Sequence, residues 1–205
     1  MIEEPLQEFS LQLLRSGDRT EIARLVDGHS LKIYRLALKM LANPQDAEDV
    51  LQNTFLKAIQ ALPTFEGRSS LSTWLYRIAV NEALLIIRKK KPEVEIDLQS
   101  NGDTDESPAL TQFTDWCCLP EWELVSTEAK NHFDIAIQQL SEKLRVVFIL
   151  RDIEGLSIQE TSKALDLTES TVKTRLLRAR LKVREVLSVY YEERLDMEKS
   201  DEKIS

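Results

Sequence analysis

Residues 157–184 of this 205-residue chain read SIQETSKALDLTESTVKTRLLRARLKVR, and this stretch predicts local architecture more directly than any other. Ser157 and Glu160 form a capping box, in which the hydroxyl accepts from a free backbone N–H and the carboxylate reaches back to the cap. Asp166-Leu167-Thr168 interrupts the helical pattern, and Thr168 can cap a second helix. The stretch therefore predicts two helices joined by a three-residue turn.

The second of these helices has a basic face. No acidic residue occurs between Ser170 and Arg184. Both helices carry an apolar stripe of 3.6-residue period, formed by Ile158, Thr161, Ala164 and Leu165 in the first and Val172, Leu176, Ala179 and Val183 in the second. The cations expected to project elsewhere are Lys173, Arg175, Arg178, Arg180, Lys182 and Arg184. A helix-turn-helix with a purely cationic face can bind DNA phosphates and the edges of guanine bases. A run of cations is, however, also typical of an ordinary solvent-exposed helix face.

Charge along the chain is segregated, so the net charge of −8 is a poor guide to partners. Ten acids and no Lys or Arg occur from Glu93 to Glu128, and a further acidic segment follows Tyr191. The polar run at 100–108 has little to bury, which is typical of a linker. The acidic segment therefore divides two units with basic faces.

A helix over 44–62 is predicted by Asn43 as N-cap, Pro44 at the first helical position and Pro63 at its end. Its expected buried stripe comprises Ala47, Val50, Leu51, Thr54, Ala58, Ile59 and Leu62. Its outward side carries a polar and acidic patch formed by Asp46, Glu48, Asp49, Gln52 and Asn53. The helix dipole explains part of this patch, because acids are favoured in a first turn.

A loop containing Gly and Ser, residues 65–72, precedes a predicted helix over 73–91. Aromatic and basic side chains stand together near the start of that helix, at Trp74, Tyr76 and Arg77. Such a mixture favours single-stranded DNA, whose exposed bases stack while cations hold the backbone. The alternative is that the aromatic residues belong to the core and that the cations at 88–91 complement the negative helix end.

Four segments occur in a specific order: DAEDVLQNTF at 46–55, FEGR at 65–68, STWLYRIAVN at 72–81, and LRVVFILRDIEGLS at 144–157 before the helix-turn-helix. In this order and spacing they resemble a bacterial sigma factor of the sigma-70 family, extracytoplasmic-function group. The resemblance covers nearly the whole chain.

The resemblance implies docking on core RNA polymerase, at the coiled coil of the largest subunit and at the flap. The core-binding residues would be Asp46, Glu48, Asp49, Gln52 and Asn53. Relatives often carry Glu or Asp at the position of Asn53, so one charge of that contact is missing here. An anti-sigma factor is a further partner implied by the resemblance.

Two promoter elements would be recognised by the two units. Arg68, Ser69 and Ser70 would border a pocket for a flipped base of the −10 element, and Trp74, Tyr76, Arg77 and Asn81 would line the melted strand. The duplex −35 element would be read by Lys173, Thr174, Leu177 and Arg178, with Arg175 and Arg180 on phosphates. Arg178 is the expected bidentate partner of guanine.

The expected fold is all-α, with two small helical domains joined by an acidic flexible linker. The region 2 helical bundle would occupy 1–92, the linker 93–126, the region 4 helix-turn-helix domain 127–191, and an acidic tail 192–205. The expected function is promoter-specific transcription initiation with core polymerase. A stand-alone helix-turn-helix regulator is the alternative, and a helical adaptor without a nucleic-acid role is a more distant one.

Enzymatic function is not expected. His29 and His132 lie far apart without a catalytic pattern, and no nucleophile, cofactor, metal or small-molecule site is indicated. Cys117 and Cys118 are adjacent and match neither a disulfide framework nor a zinc spacing. No apolar run is long enough to cross a bilayer, and the acidic N-terminus is unlike a secretion signal, so a cytoplasmic protein without membrane insertion is expected.

Overall fold

A computed structural model of the chain describes residues 9–90 and 127–201, with side chains from 9 to 90 and from 129 to 189. Within these ranges the secondary structure is entirely helical, as expected. The expected linker at 93–126 and the end of the tail lie outside the described residues. The helices are α1 Leu11–Ser16, α2 Arg19–Leu41, α3 Pro44–Ala61, α4 Leu71–Lys90, α5 Thr127–Gln139, α6 Glu142–Phe148, α7 Ile158–Leu165 and α8 Glu169–Asp201.

Helices α1 to α4 form the N-terminal bundle, and their ends follow local chemistry. Ser10, Asp18 and Asn43 are the N-caps of α1, α2 and α3, and each side-chain oxygen accepts a backbone N–H of the first turn. Helix α3 ends at a short 3-10 turn, Leu62–Thr64, where Pro63 interrupts the helix. The long helices α2, α3 and α4 pack against one another.

The core of the N-terminal bundle is built from the apolar stripes of these helices. Its fully buried side chains include Leu25, Leu36, Val50, Leu75 and Val80. The predicted stripe of α3 is correct at Ala47, Val50, Thr54 and Ala58 but wrong at Ile59, which is 39% exposed. Phe55 is buried instead, because the stripe drifts around a helix of 3.6 residues per turn.

Helices α5 to α8 form the C-terminal unit. Helix α6 continues into a π-helical segment, Ile149–Ile153, and a turn with Gly155 at φ 73° leads to α7. Both halves of the capping box exist, since Glu160 N donates to Ser157 Oγ at 3.1 Å and Ser157 N donates to Glu160 Oε2 at 2.8 Å. These bonds hold the pKa of the Glu160 carboxyl below its usual range. The predicted helix-turn-helix is confirmed.

The two units pack directly on each other. Helix α7 lies against α4, and α5 and the π-helical segment lie against α2. Arg145 joins the units, because its guanidinium donates to the carbonyl oxygens of Met40 at the end of α2 and of Ile137, Gln138 and Leu140 at the end of α5. No helix in the described ranges is both long enough and apolar enough to cross a membrane.

Removing the cap of α7 should destabilise the helix-turn-helix. We expect Ser157→Ala to lower the free energy of unfolding by about 1 kcal/mol, because the backbone N–H of Glu160 loses its acceptor. Gln159→Ala is the matched control in the same turn, since Gln159 is exposed and caps nothing. Urea denaturation followed by circular dichroism measures both. Equal midpoints for the two variants would show that the cap contributes no measurable stability.

Candidate nucleic-acid interface

The loop before α4 is shaped by a glycine and a helix cap. Gly67 has φ 77°, a left-handed conformation that favours glycine. Ser70 Oγ accepts the backbone N–H of Thr73 at 3.1 Å and lies 2.8 Å from the Thr73 hydroxyl, so Ser70 caps α4. Phe65 packs on Trp74 with ring centroids 4.7 Å apart. The loop is thereby fixed beside the first turn of α4.

An open cavity of about 470 Å³ lies between this loop and α7. Its walls include Arg68, Ser69, Trp74 and Arg77 from the N-terminal bundle, together with Lys163 and Asp166 from the C-terminal unit. Ser70 borders a second, neighbouring cavity of about 310 Å³. The structure therefore brings the predicted pocket residues together around concave, mixed aromatic and cationic surface.

Helix α4 carries three of the predicted residues on one outward side, Trp74, Arg77 and Asn81, which are spaced three and four apart. Trp74 is half-buried, whereas Arg77 and Asn81 are exposed. Arg68 extends from the adjacent loop with its side chain 86% exposed, beside Glu66 at 2.5 Å. A strand laid along this side would meet an aromatic ring, two guanidinium groups and an amide.

Tyr76 departs from the expectation that it flanks a DNA strand. It is 4% exposed, and its hydroxyl donates to Glu154 Oε2 of the C-terminal unit at 2.7 Å. Burial raises the pKa of the Tyr76 hydroxyl, and the Glu154 carboxylate adds to this shift. In this conformation Tyr76 is therefore part of the contact between the two units and is closed to nucleic acid.

The acidic patch on α3 lies on an open face. Glu48, Asp49, Gln52 and Asn53 are all exposed. Asp46 differs, because its carboxylate is mostly covered and forms an ion pair with Lys90 at the end of α4. The patch available to a partner thus consists of two carboxylates and two amides.

The N-terminal half of α8 presents part of the predicted reading surface. Lys173 and Thr174 are exposed, while Leu177 and Arg178 are half-buried. The Thr174 hydroxyl donates to the Ser170 carbonyl at 3.0 Å, which leaves its methyl group and its acceptor lone pairs outward. Polar, cationic and apolar groups are therefore available on one helix.

Two cations expected on phosphates are placed differently by the structure. Arg175 is only 3% exposed, because it lies three residues after Val172 and four before Ala179 on the buried stripe. The expectation that it projects from the basic face is wrong for this conformation. Arg180 forms a bidentate pair with Asp152, at 2.7 and 2.8 Å, which holds α8 on the π-helical segment.

Three acidic residues that the sequence did not single out contact predicted site residues. Asp152 binds Arg180, Glu154 accepts from Tyr76, and the Asp166 carboxylate lies 3.8 Å from the Arg77 guanidinium. For Tyr76 a signal was present, because it stands three and four residues before the buried Ala79 and Val80. The partners of these residues lie 28 to 89 positions away, beyond the reach of local periodicity.

Comparison with known proteins adds independent evidence. Residues 25–93 match the family described as Sigma-70 region 2, and residues 133–183 match Sigma-70, region 4. The chain is 37% identical over 177 residues to the ECF RNA polymerase sigma factor SigW of Bacillus subtilis, covering 86% of this chain and 94% of the relative. It is 31% identical over 183 residues to the ECF RNA polymerase sigma-E factor of Escherichia coli, covering 88% of this chain and 93% of the relative.

Two solved complexes have a similar fold. CnrH, in complex with the cytosolic domain of CnrY, gives a TM-score of 0.61 at 22% identity, covering 87% of this chain and 95% of CnrH. The sigma factor RpoE of Bartonella quintana, in complex with the anti-sigma factor NepR, gives 0.58 at 25% identity, covering 84% and 98%. The first of these likenesses concerns the fold alone.

The Asp152–Arg180 pair should contribute to the stability of the C-terminal unit. We expect Asp152→Ala to lower the free energy of unfolding by about 1–3 kcal/mol, because a partly covered guanidinium loses two charge-assisted hydrogen bonds. Glu185→Ala is the control, since the Glu185–Lys182 pair is exposed and should contribute less than about 1 kcal/mol. Chemical denaturation measures both variants. Equal losses would contradict a stabilising role specific to Asp152.

Proposed function

Since this chain belongs to the extracytoplasmic-function group of sigma-70 family RNA polymerase sigma factors, we propose that its N-terminal bundle opens and reads the −10 element while its C-terminal unit reads the −35 element. The protein is a non-catalytic subunit of RNA polymerase that directs promoter-specific transcription initiation. The alternative of a stand-alone regulator is thereby set aside. The assignment of each promoter contact to a residue is the proposal.

The main support for this proposal is that one chain has three separate surfaces that a sigma factor needs. They are the open acidic patch on α3, the cavity beside the outward side of α4, and the N-terminal half of α8. A stand-alone duplex-binding protein would have use only for the third of these. The acidic patch is the kind of surface needed for docking on polymerase, and the cavity beside α4 is the kind needed for binding a melted strand.

Reading of the −10 element is assigned to the loop and to α4. Arg68, Ser69 and Ser70 border the cavities, and an extruded base entering there would meet the Phe65–Trp74 stack. Unstacking a base costs a few kcal/mol, which contacts with the extruded base in this cavity would offset, so recognition and melting would occur together. Arg77 and Asn81 would follow the strand along α4. Tyr76 is buried and hydrogen-bonded to Glu154, so it is a candidate for this surface only if it leaves its present position.

Reading of the −35 element is assigned to α8. Lys173 and Thr174 lie where they can meet the backbone and base edges, and Arg178 is the proposed bidentate partner of guanine. Leu177 offers an apolar contact, such as one to a thymine methyl group. Arg175 and Arg180 are candidates for phosphate contact only if they leave their present positions.

Docking on core polymerase is assigned to α3. The exposed Glu48, Asp49, Gln52 and Asn53 would face basic residues of the largest-subunit coiled coil, and Asp46 would contribute less because Lys90 neutralises it. The second polymerase contact, at the flap, would involve the C-terminal unit. Charge complementarity of this kind sets association rate and specificity.

An anti-sigma factor is the further partner that we propose. The support is that RpoE of Bartonella quintana, whose structure matches 84% of this chain, has been solved with the anti-sigma factor NepR. The place of action is proposed to be the cytoplasm, because polymerase and chromosomal DNA are there in bacteria.

Run-off transcription tests the proposed function. Core polymerase from a bacterium, a genomic promoter library and this protein should give specific start sites that are absent without it. With Arg178→Ala, the preference at one −35 position should relax by about 1–3 kcal/mol, because the paired donors to guanine are lost.

Lys182→Ala is the matched control for Arg178→Ala. Lys182 lies on the same helix but binds Glu185, so its removal should leave the −35 preference unchanged. Start sites whose −35 preference is the same with both variants would remove Arg178 from base reading. If no transcription start site depended on this protein, the proposed roles of the two units in reading the −10 and −35 elements would be contradicted.

A charge reversal tests the docking assignment. Asp49→Lys should weaken assembly with core polymerase by at least about tenfold, because a cation would then face cations. Asp27→Lys carries the same charge change at an exposed site on α2 and should assemble as the wild type does. Fluorescence anisotropy of labelled protein titrated with core polymerase measures both. Equal weakening would indicate a general charge effect and would contradict docking through α3.

A further inference from the structure

Residues 66–70, called here the −10 loop, have little packing of their own. Gly67 and Ser69 border both the cavity of about 470 Å³ and the neighbouring cavity of about 310 Å³. Gly67, Arg68 and Ser70 are exposed, and Ser69 is half-buried. Because open space beside a chain offers no atoms for it to pack against, the position of the −10 loop depends on how its two ends are held.

Helix α1 holds the first end of the −10 loop. The Arg15 guanidinium donates twice to the Phe65 carbonyl, from Nε at 3.0 Å and from Nη2. Such charge-assisted bonds are stronger than bonds between neutral groups. Leu11, one turn earlier, lies beside Gly67, with its Cδ1 atom 3.8 Å from where a β-carbon would stand. Since the Phe65 ring is stacked on Trp74, the same two bonds fix one wall of the larger cavity.

Helix α1 is itself fixed to the N-terminal bundle. Leu14 is in the core, at 1% exposed. The backbone N–H of Ser10 donates to Glu21 Oε1 on α2 at 2.7 Å. Gly17 ends α1 in a left-handed conformation, with φ 79°, and the chain turns there into α2. Arg15 therefore reaches the loop from an anchored helix.

His29 on α2 holds the second end of the −10 loop. Its Nδ1 atom lies 3.0 Å from the Leu25 carbonyl, which can only accept, so Nδ1 carries the proton and Nε2 is an acceptor. The Ser72 hydroxyl donates to Nε2 at 3.0 Å. Burial lowers the pKa of the His29 ring, which keeps it in the neutral form that this bond requires. The first turn of α4 is thus tied to the core of the bundle.

We propose that Arg15 and His29 are positioning residues for reading of the −10 element, acting through Phe65 and Ser72. This inference rests on the proposed function of the −10 loop. The structure places both residues outside the walls of the two cavities, so their effect on base preference is indirect. A site rejects a wrong base only when supporting contacts hold its side chains in place. Arg15 also precedes the range that matches Sigma-70 region 2, which begins at residue 25.

The first measurement reports the position of the loop. In a full chain with Trp116→Phe and Trp122→Phe, Trp74 is the single tryptophan, and the Phe65 ring covers it. Arg15→Gln should raise the acrylamide quenching constant of Trp74, because Phe65 is no longer held. Arg19→Gln removes the same charge from an exposed position four residues later and should quench as the parent chain does.

The second measurement is base preference, in otherwise wild-type chains. Single-round transcription with core polymerase uses a promoter found by run-off transcription, with each position of its −10 element changed in turn. Arg15→Gln should lower the preference for the native base at the extruded position by at least about fivefold, the lower end of what one lost base contact causes. The −35 preference should stay as in the wild type, and Arg19→Gln should match the wild type at both elements.

The second end of the loop has its own variants. Ser72→Ala removes the donor to His29 and should lower the same −10 preference. Ser30→Ala is the matched control, because the Ser30 hydroxyl donates to the Val26 carbonyl within α2. His29→Phe should add nothing to the loss caused by Ser72→Ala, since both changes remove one bond. Additive losses would contradict action of His29 through Ser72.

The outcomes separate this inference from the function on which it rests. Unchanged quenching in Arg15→Gln would overturn the hold on the loop, and raised quenching with an unchanged −10 preference would overturn its role in reading. Equal losses at the −10 and −35 elements would indicate general destabilisation and would also overturn it. Arg68→Ala, within the loop itself, should lose the −10 preference. If Arg68→Ala keeps that preference, or if the wild type directs no start, the proposed function fails instead.

Discussion

One guanidinium connects the two halves of this structure. Arg145 donates to carbonyl oxygens in the last turn of α2 and at the end of α5, where helices leave acceptors unpaired and carry partial negative charge. Burial lowers the pKa of Arg145, with Glu142 opposing this shift. Four backbone carbonyl oxygens accept hydrogen bonds from this partly buried cation. Its position fixes the turn between α5 and α6 against the end of α2.

The segment that follows α6 makes further contacts with both units. Helix α6 runs into the π-helical segment, which directs Asp152 towards α8 and places Glu154, just after it, against α4. One short segment therefore binds α8 and also contacts the N-terminal bundle. π-Helical turns are uncommon and occur often at functional sites, which accords with this double task. A movement of this segment would change its contacts with both α8 and α4.

The features predicted correctly from the sequence are those determined by residues adjacent in the chain. The capping box, the turn after α7 and the start of α3 at Asn43 and Pro44 are local, and the structure contains all three. The exposed acids of α3 were also predicted correctly in position. Tyr76, Arg175 and Arg180 were not, because each is determined by packing or by a partner far away in sequence. Residue type and the family resemblance suggested DNA contacts for these three side chains.

The distribution of exposed surfaces has a consequence for the order of assembly. In this structure the α3 patch is open, with Asp49 and Gln52 exposed, whereas Tyr76 is covered and Arg77 faces Asp166. The surface proposed for polymerase is therefore accessible, whereas part of the surface proposed for the −10 strand is covered. If the flap then binds the C-terminal unit at a distant site, polymerase binding would favour separation of the two units by the difference in its affinity for the packed and the separated arrangements. DNA binding would be coupled to polymerase binding through the separation of the two units, and the same coupling would keep free protein from occupying promoters.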